Sequence, residues 1–400
     1  MVKSISYNHS SLGKAYALYL AILPLILAYK FPGIEMGIAT VLIAVGIFPA
    51  MLVIIMKRRY VNMTLVSLLF LYIGYVTTKT EGNNFLLPIF ILVHITAITT
   101  GIVDNVKLRY YLESFSIIAA VVVIFQQIFH ILLGGHIPAM IPSLLLKDIF
   151  DNYSTQVTTG FGIEKLYRPS AFFLEPAHFS QYVILGLGSS LYRKRPYYRK
   201  ALILSFGLFA TTSGMGFVLT FVIWAWWFIT YKKKESHMTS VNVIVFVTIL
   251  ALLLVILSQI SFTASIIGRF AGGDSGEYNA INGRLFFWDS YFGDKSFGDL
   301  IYGYGESELE KGVYFTGFMK ILYAYGIIGL TLFILFLLYL LLKTKDITRM
   351  YTIIYLSLLF LANLTGFISI IFNIGVIISL TPGLSKYKLV KITPITHKFC

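Results

Sequence analysis

Apolar residues fall in ten long runs along the chain, each bounded by charged or turn-forming residues, at about 15–29, 34–56, 61–78, 85–103, 113–133, 171–192, 201–231, 239–260, 316–342 and 351–381. Such runs predict helices that cross a bilayer, because about 20 apolar residues rising about 1.5 Å each traverse a hydrocarbon core of about 30 Å. Two runs, 201–231 and 351–381, hold 31 residues each. A single helix of that length would measure about 46 Å, so each is either steeply tilted or a pair of short passes.

Charge chooses between those alternatives, since Lys and Arg collect in cytoplasmic loops close to membrane spans. The basic clusters are Lys57 to Arg59, Lys107 with Arg109, Arg193 to Lys200, Lys232 to Lys234, Lys343 to Arg349, and the tail from Lys386. The clusters flanking 201–231 lie on one side only if that run crosses twice, with a turn near Ser213-Gly214. The same reasoning makes 351–381 a hairpin turning near Gly366. The expected fold class is therefore an all-α polytopic membrane protein of about 12 transmembrane helices, a single integral membrane domain over 1–400 with both termini cytoplasmic. The basic start, MVKSISYNHSSLGK, leads into an apolar run with no small-residue cleavage site, so 15–29 reads as a retained first span.

Composition agrees with this layout: 57% hydrophobic residues, 12% charged residues and a mean hydropathy of +0.80 lie outside the soluble globular range. On the expected topology, 22 of the 32 basic residues and 4 of the 18 acidic ones face the cytoplasm. The net charge of +14 then divides into a strongly positive inner face and a slightly negative outer one. That asymmetry reflects topology and anionic lipid, and it argues against nucleic acid as a partner. The one cysteine, Cys400, offers neither a disulfide within the chain nor a Cys metal site.

Two loops exceed 30 residues, a first external loop at 134–169 and a second, larger one at 261–315, and both fall on the outer face. The second carries ten Gly, thirteen aromatics, eight acids and four bases, a composition suited to a folded lobe. Its Phe286, Phe287 and Trp288 either pack that lobe or offer broad apolar faces to sugar rings. Arg284 stands beside Asn282-Gly283, where the backbone turns tightly, and presents a planar fork suited to phosphate or carboxylate. The segment YGYGESELEKG at 302–312 lacks the Lys-Ser/Thr pair of a phosphate loop, and GGDSGE at 272–277 lacks the alternating oxygens of a calcium loop. No cofactor is called for, and a metal-independent reaction is expected.

The segment RPSAFFLEPAHFSQY at 168–182 places an Arg, a Glu and a His at the mouth of an apolar run. Ionisable groups in that setting are costly and mark functional sites. A helix starting near Pro169 would carry Glu175 roughly 9 Å below its end, where it would need a wet pocket. If the helix continues past Pro176, Glu175, His178 and Gln181 form a polar stripe three residues apart; the alternative is a structural pair holding a broken helix in place. His94 and His130, inside apolar runs, read as histidines satisfied by neighbouring helices.

These residues, with TTSG at 211–214, NGRLFFW at 282–288 and GFMKILYAYGIIGL at 317–330, resemble the Wzy-type polysaccharide polymerases, whose superfamily also contains the O-antigen ligases. The likeness covers roughly 60–380 and rests on the order and topological setting of the motifs. It implies an inverting, GT-C-like membrane glycosyltransferase of the bacterial cytoplasmic membrane, acting externally on undecaprenyl-diphosphate-linked oligosaccharide repeat units. A chain-length regulator and a flippase are the protein partners it implies. Arg168 and Arg284 would hold diphosphates, Glu175 or His178 would take the acceptor proton, and Gln181, Tyr182 and Trp288 would contact substrate. Where the ligases carry a His before this helix, the chain has Tyr314, Phe315 and Thr316, which favours polymerase. It also has no Arg directly after Ser213. The other expectations to weigh are a ligase and a flippase or transporter of lipid-linked oligosaccharide; 12 spans suit a transporter, but no half-to-half repeat is visible.

Overall fold

The computed structural model describes residues 11–33, 36–80, 86–135, 137, 157–158, 166–193, 196–234, 296–305, 315–381 and 384. Twelve helices run through them: α1 (Ser11–Ile22), which continues into a 3-10 turn (Leu23–Ile26), α2 (Ile38–Met56), α3 (Met63–Thr78), α4 (Leu86–Thr99), α5 (Asn105–Leu133), α6 (Pro176–Leu191), α7 (Tyr198–Ala210), α8 (Gly214–Lys234), α9 (Phe297–Tyr302), α10 (Gly317–Lys343), α11 (Asp346–Leu361) and α12 (Phe367–Leu380). The described part of the first long loop holds a minimal antiparallel pair, β1 (Val157–Thr158) with β2 (Leu166–Tyr167), in which Val157 faces Tyr167.

Three of these helices, α2, α5 and α10, are long and apolar enough to cross a bilayer, so the count of 12 spans is not established. Both 31-residue runs break as expected. The first divides at Thr211–Ser213 into α7 and α8, which fold back on each other: Trp224 donates to Ser205 Oγ at 2.9 Å, and the Phe209 and Phe217 rings lie 5.2 Å apart. The second divides at 362–366 into α11 and α12. The run at 239–260 and most of the second long loop lie outside the described residues.

Local chemistry sets the helix ends. Asp104 caps α5, its Oδ1 accepting from the Val106 and Lys107 N–H groups at 3.0 Å each, and Gly134 closes the helix in the left-handed conformation. At 29 residues, α5 thus begins eight positions before its apolar run and carries Lys107, Arg109 and Glu113 on its first turns. α10 is broken at Gly326 (φ 63°), and the carbonyls freed nearby are not wasted: Tyr304 N–H donates to Tyr323 O and Gly305 N–H to Ala324 O. Satisfying broken-helix backbone within the protein is what an apolar surround demands.

Small residues let the central helices approach closely. α5 packs on α6, α7 and α1, while α6 also meets α8. A Cβ on Gly207 would stand 2.5 Å from the Ala120 Cβ, whereas around Gly74 the space is open. Gly207→Leu is accordingly expected to lower the unfolding midpoint in detergent by the equivalent of about 1–3 kcal/mol. Gly74→Ala should leave it unchanged or raise it; equal behaviour of the two would show that the α5–α7 contact is not close.

His94 ties α1, α2 and α4 together. Its Nε2–H donates to Ile43 O at 3.0 Å, and Nδ1 accepts from the Tyr16 hydroxyl at 2.7 Å, an arrangement that suits the neutral ring. This is the neighbour-satisfied histidine expected of an apolar run. His130, at the end of α5, instead meets Gly135 O at 3.2 Å, a carbonyl of the chain just past its own helix and not a neighbouring helix.

The two ends of the bundle differ in chemistry. At one end, Glu113 accepts from Arg193 at 2.5 Å, from Lys200 at 3.4 Å and from Ser189 at 2.9 Å, while Arg193 and Lys200 both stand over the Tyr197 ring. The N-terminus of α11, with Lys345 and Arg349, begins at this end too, since Tyr351 donates to Leu185 O near the close of α6. The other end gathers the start of α6, the α7–α8 turn and the α11–α12 turn.

Candidate functional site

The turn that precedes α6 is built on Ser170 and Ala171. Phe173 N–H donates to Ser170 O at 2.9 Å, and the Ser170 hydroxyl donates to Phe173 O at 2.7 Å. Ala171 takes a left-handed conformation (φ 53°), held by its N–H on Gln126 Oε1 at 3.0 Å. Gln126 is fully buried in α5, so this amide ties the segment to the interior of the bundle. Thr212, in the facing turn between α7 and α8, is also left-handed (φ 56°), a conformation that β-branched residues rarely adopt, and its hydroxyl reaches Tyr167 O at 3.4 Å. Two unfavourable backbone conformations at one end of a helical bundle mark a place whose geometry is imposed by its surroundings.

The helix itself begins at Pro176 and not near Pro169, which corrects the expected depth of Glu175. Proline is suited to the first helical position and drives the residue before it into extended conformation; Glu175 has φ −136° and ψ 152° and stands as the N-cap without a side-chain capping bond. Its carboxylate is thus at the helix mouth, half-buried, and not a third of the way down a span. The continuous stripe from Glu175 to Gln181 is corrected in the same way: the helical stripe starts with His178. Glu175, the N-cap, and His178, the third residue of α6, nevertheless lie within one turn of each other.

α6 and α8 run parallel with their N-termini side by side. Gly216 approaches Ser180 so closely that a Cβ would meet its hydroxyl at 2.6 Å, Gln181 lies 3.8 Å from the Met215 sulfur, and further down Tyr192 bonds Thr230 at 3.0 Å. The Ser213 hydroxyl accepts from Gly216 N–H at 3.5 Å at the head of α8. Peptide dipoles from both helices favour negative charge at this end.

Between α6 and α12 opens a small cleft of about 40 Å³. His178, Gln181 and Tyr182 line it from α6, and Ser369, Phe372 and Asn373 from α12, with Phe173 and the 3-10 turn after α1 closing the sides. The Tyr182 hydroxyl is committed to Ala21 O at 2.9 Å, its ring stacks on Phe372 at 5.8 Å, and the residue is only 1% exposed, so it packs the wall of the cleft.

The structure therefore brings three of the expected residues, His178, Gln181 and Tyr182, onto one cleft, with Glu175 one turn above. Arg168 lies upstream on the turn, half-buried and already engaged with partners. Arg284 and Trp288 lie outside the described residues. No group of three or more metal-ligating side chains is found among the described residues. Comparison with known protein families and with curated proteins returns no match for this chain.

Sequence reasoning passed over Gln126, Ser369 and Asn373. The signal was present in each case: an amide or hydroxyl inside an otherwise apolar run, where an unsatisfied polar group is costly. Asn373 lies four residues after Ser369 on one face of α12 and donates to the Ser369 carbonyl at 2.8 Å.

Proposed function

We propose that this protein is a glycan polymerase of the bacterial cytoplasmic membrane, transferring a growing glycan from undecaprenyl diphosphate onto the next lipid-linked repeat unit at the external face. The observation that carries this reading is the placement of Glu175 and His178. They sit together at the head of α6, on the end of the bundle away from the Glu113–Arg193–Lys200 cluster, and above a cleft with aromatic and polar walls. With the basic clusters read as the cytoplasmic side, this proposal has the head of α6 outside and both termini inside.

In the proposed reaction Glu175 or His178 removes a proton from an acceptor sugar hydroxyl. The oxygen so activated attacks the anomeric carbon of the growing glycan from the face opposite the diphosphate, the bond to the diphosphate oxygen breaks, and the configuration inverts. Arg168 and Arg284 hold the departing diphosphate, whose developing charge needs cationic stabilisation. The parallel N-termini of α6 and α8 add positive potential on the same side.

The test is the glycan profile of cells with and without the gene. Loss of long polymer, with single repeat units still attached to the surface carrier, is the expected result. Long polymer accumulating on the undecaprenyl carrier would make the protein a ligase instead, and single units retained at the cytoplasmic face would make it a flippase.

A further inference from the structure

At the end of the bundle away from the head of α6, two cations share one carboxylate. Arg193 gives its Nε and Nη2 to Glu113 Oε1 at 3.2 and 2.5 Å, and Lys200 Nζ reaches Oε2 at 3.4 Å. Among the described residues, Nη1 of the guanidinium and two of the three ammonium protons of Lys200 meet no acceptor. One cation would neutralise Glu113, so the second leaves the group with a net positive charge. That charge opens outward: Glu113 is 2% exposed, whereas Arg193 and Lys200 are 31% and 41% exposed.

Both cations also stand over one ring. The Tyr197 centroid lies 4.6 Å from the Arg193 guanidinium carbon and 4.9 Å from Lys200 Nζ, so one aromatic face holds the two side by side. Tyr197 and Tyr198 are themselves half-exposed, and Tyr198 packs edge-on against Trp227 at 5.8 Å. Tyr and Trp gather at the headgroup level of membranes. The depth of the cluster agrees with that level. From Glu113 to its last residue, Leu133, α5 rises about 30 Å, the thickness of a hydrocarbon core. With that stretch crossing the bilayer, Glu113 and its cations stand level with the phosphates of one leaflet, and the first two turns of α5 lie beyond it.

We propose that the phosphodiester of an anionic phospholipid of the inner leaflet binds Arg193 and Lys200, its oxygens accepting from the free edge of the guanidinium and from the ammonium. A phosphodiester supplies the missing negative charge, and its oxygens suit both a planar fork and a point donor. The Tyr197 ring is the platform that keeps the two cations together. The site uses the cytoplasmic reading of this end of the bundle and is independent of the polymerase reading.

The experiment uses the purified full-length protein in a neutral detergent, with phosphatidylglycerol as the probe. Phosphatidylglycerol should raise the unfolding midpoint with a saturating dependence on its mole fraction in the micelles, and phosphatidylcholine should not. Lys200→Gln, in which Glu113 keeps Arg193 and Ser189, should raise the mole fraction needed for half the effect about fivefold. Tyr197→Leu should raise it about two- to fivefold, while Tyr197→Phe, which keeps the aromatic face, should leave it unchanged; this pair carries the test if Lys200→Gln fails to fold. Lys57→Gln, at the exposed end of α2, which packs on α4, should bind as wild type. Equal weakening by Lys57→Gln and Lys200→Gln would reduce the site to diffuse attraction of the basic face and overturn it. Equal protection by phosphatidylcholine would overturn it as well, and full protection by inorganic phosphate alone would replace the lipid by a soluble anion.

Discussion

Glu175→Gln is expected to reach the membrane in normal amount and to stop glycan elongation, reducing polymer by at least about 100-fold. The substitution keeps size and polarity but removes the group that could accept a proton, and general-base catalysis contributes about 10²- to 10⁴-fold. Because Glu175 makes no side-chain capping bond to α6, the fold loses nothing by the change. His178→Gln separates the two candidates for the base. If Glu175 takes the proton and His178 only positions it, His178→Gln should leave about 1–10% of wild-type rate; the reverse ranking moves the base to His178. Arg168→Ala should also abolish long polymer. Normal polymer from Glu175→Gln would return this residue to a structural role at the helix mouth.

The largest effect on stability is expected at the opposite end of the bundle, and it should be asymmetric. Glu113 is 2% exposed, whereas its partners Arg193 and Lys200 are 31% and 41% exposed. Removing a cation leaves a buried carboxylate under-compensated, while removing the carboxylate leaves two cations that can still reach water. Arg193→Met should therefore cost about 3 kcal/mol, the lower end of the range for breaking a buried pair, because Lys200 and Ser189 still contact Glu113. Glu113→Met should cost clearly less, and Glu113→Met combined with Arg193→Met should recover most of the loss, since replacing a buried pair by apolar side chains is often close to neutral. Unfolding midpoints in a graded denaturing detergent series measure this directly. Equal losses from the two single variants would show that Glu113 is not a dry, paired group.

Much of this architecture was legible in the chain. Run lengths and flanking charge located both helix breaks, at Thr211–Ser213 and 362–366, because hydrophobic length and the position of Lys and Arg are local quantities. Pro176 was the point of failure. Counting from Pro169 assumed that the apolar side chains of Ala171–Leu174 continued a helix, yet Pro169 gives way to a turn held by Ser170 and by Gln126, 45 positions earlier than Ala171 in the chain. No local signal specifies that bond. The minimal β1–β2 pair escaped for the same reason, since it depends on two short segments meeting across a loop.

The site was legible as composition rather than as shape. Glu175, His178 and Gln181 announced themselves as polar residues where apolar ones were expected. Ser369 and Asn373 carried the same signal, but nothing local tied them to α6, from which they are separated by nearly 200 residues and which they meet only when α12 packs beside it. Gln126 was likewise visible as polar and its partner was not.

The most direct test of the central claim is to reconstitute the purified protein alone in liposomes with undecaprenyl-diphosphate-linked repeat units and resolve the products by size. A ladder of lipid-linked glycans that lengthens with time, with one undecaprenyl diphosphate released per unit added, is the result this account predicts. Units that stay single, or that cross the bilayer without being joined, would contradict it.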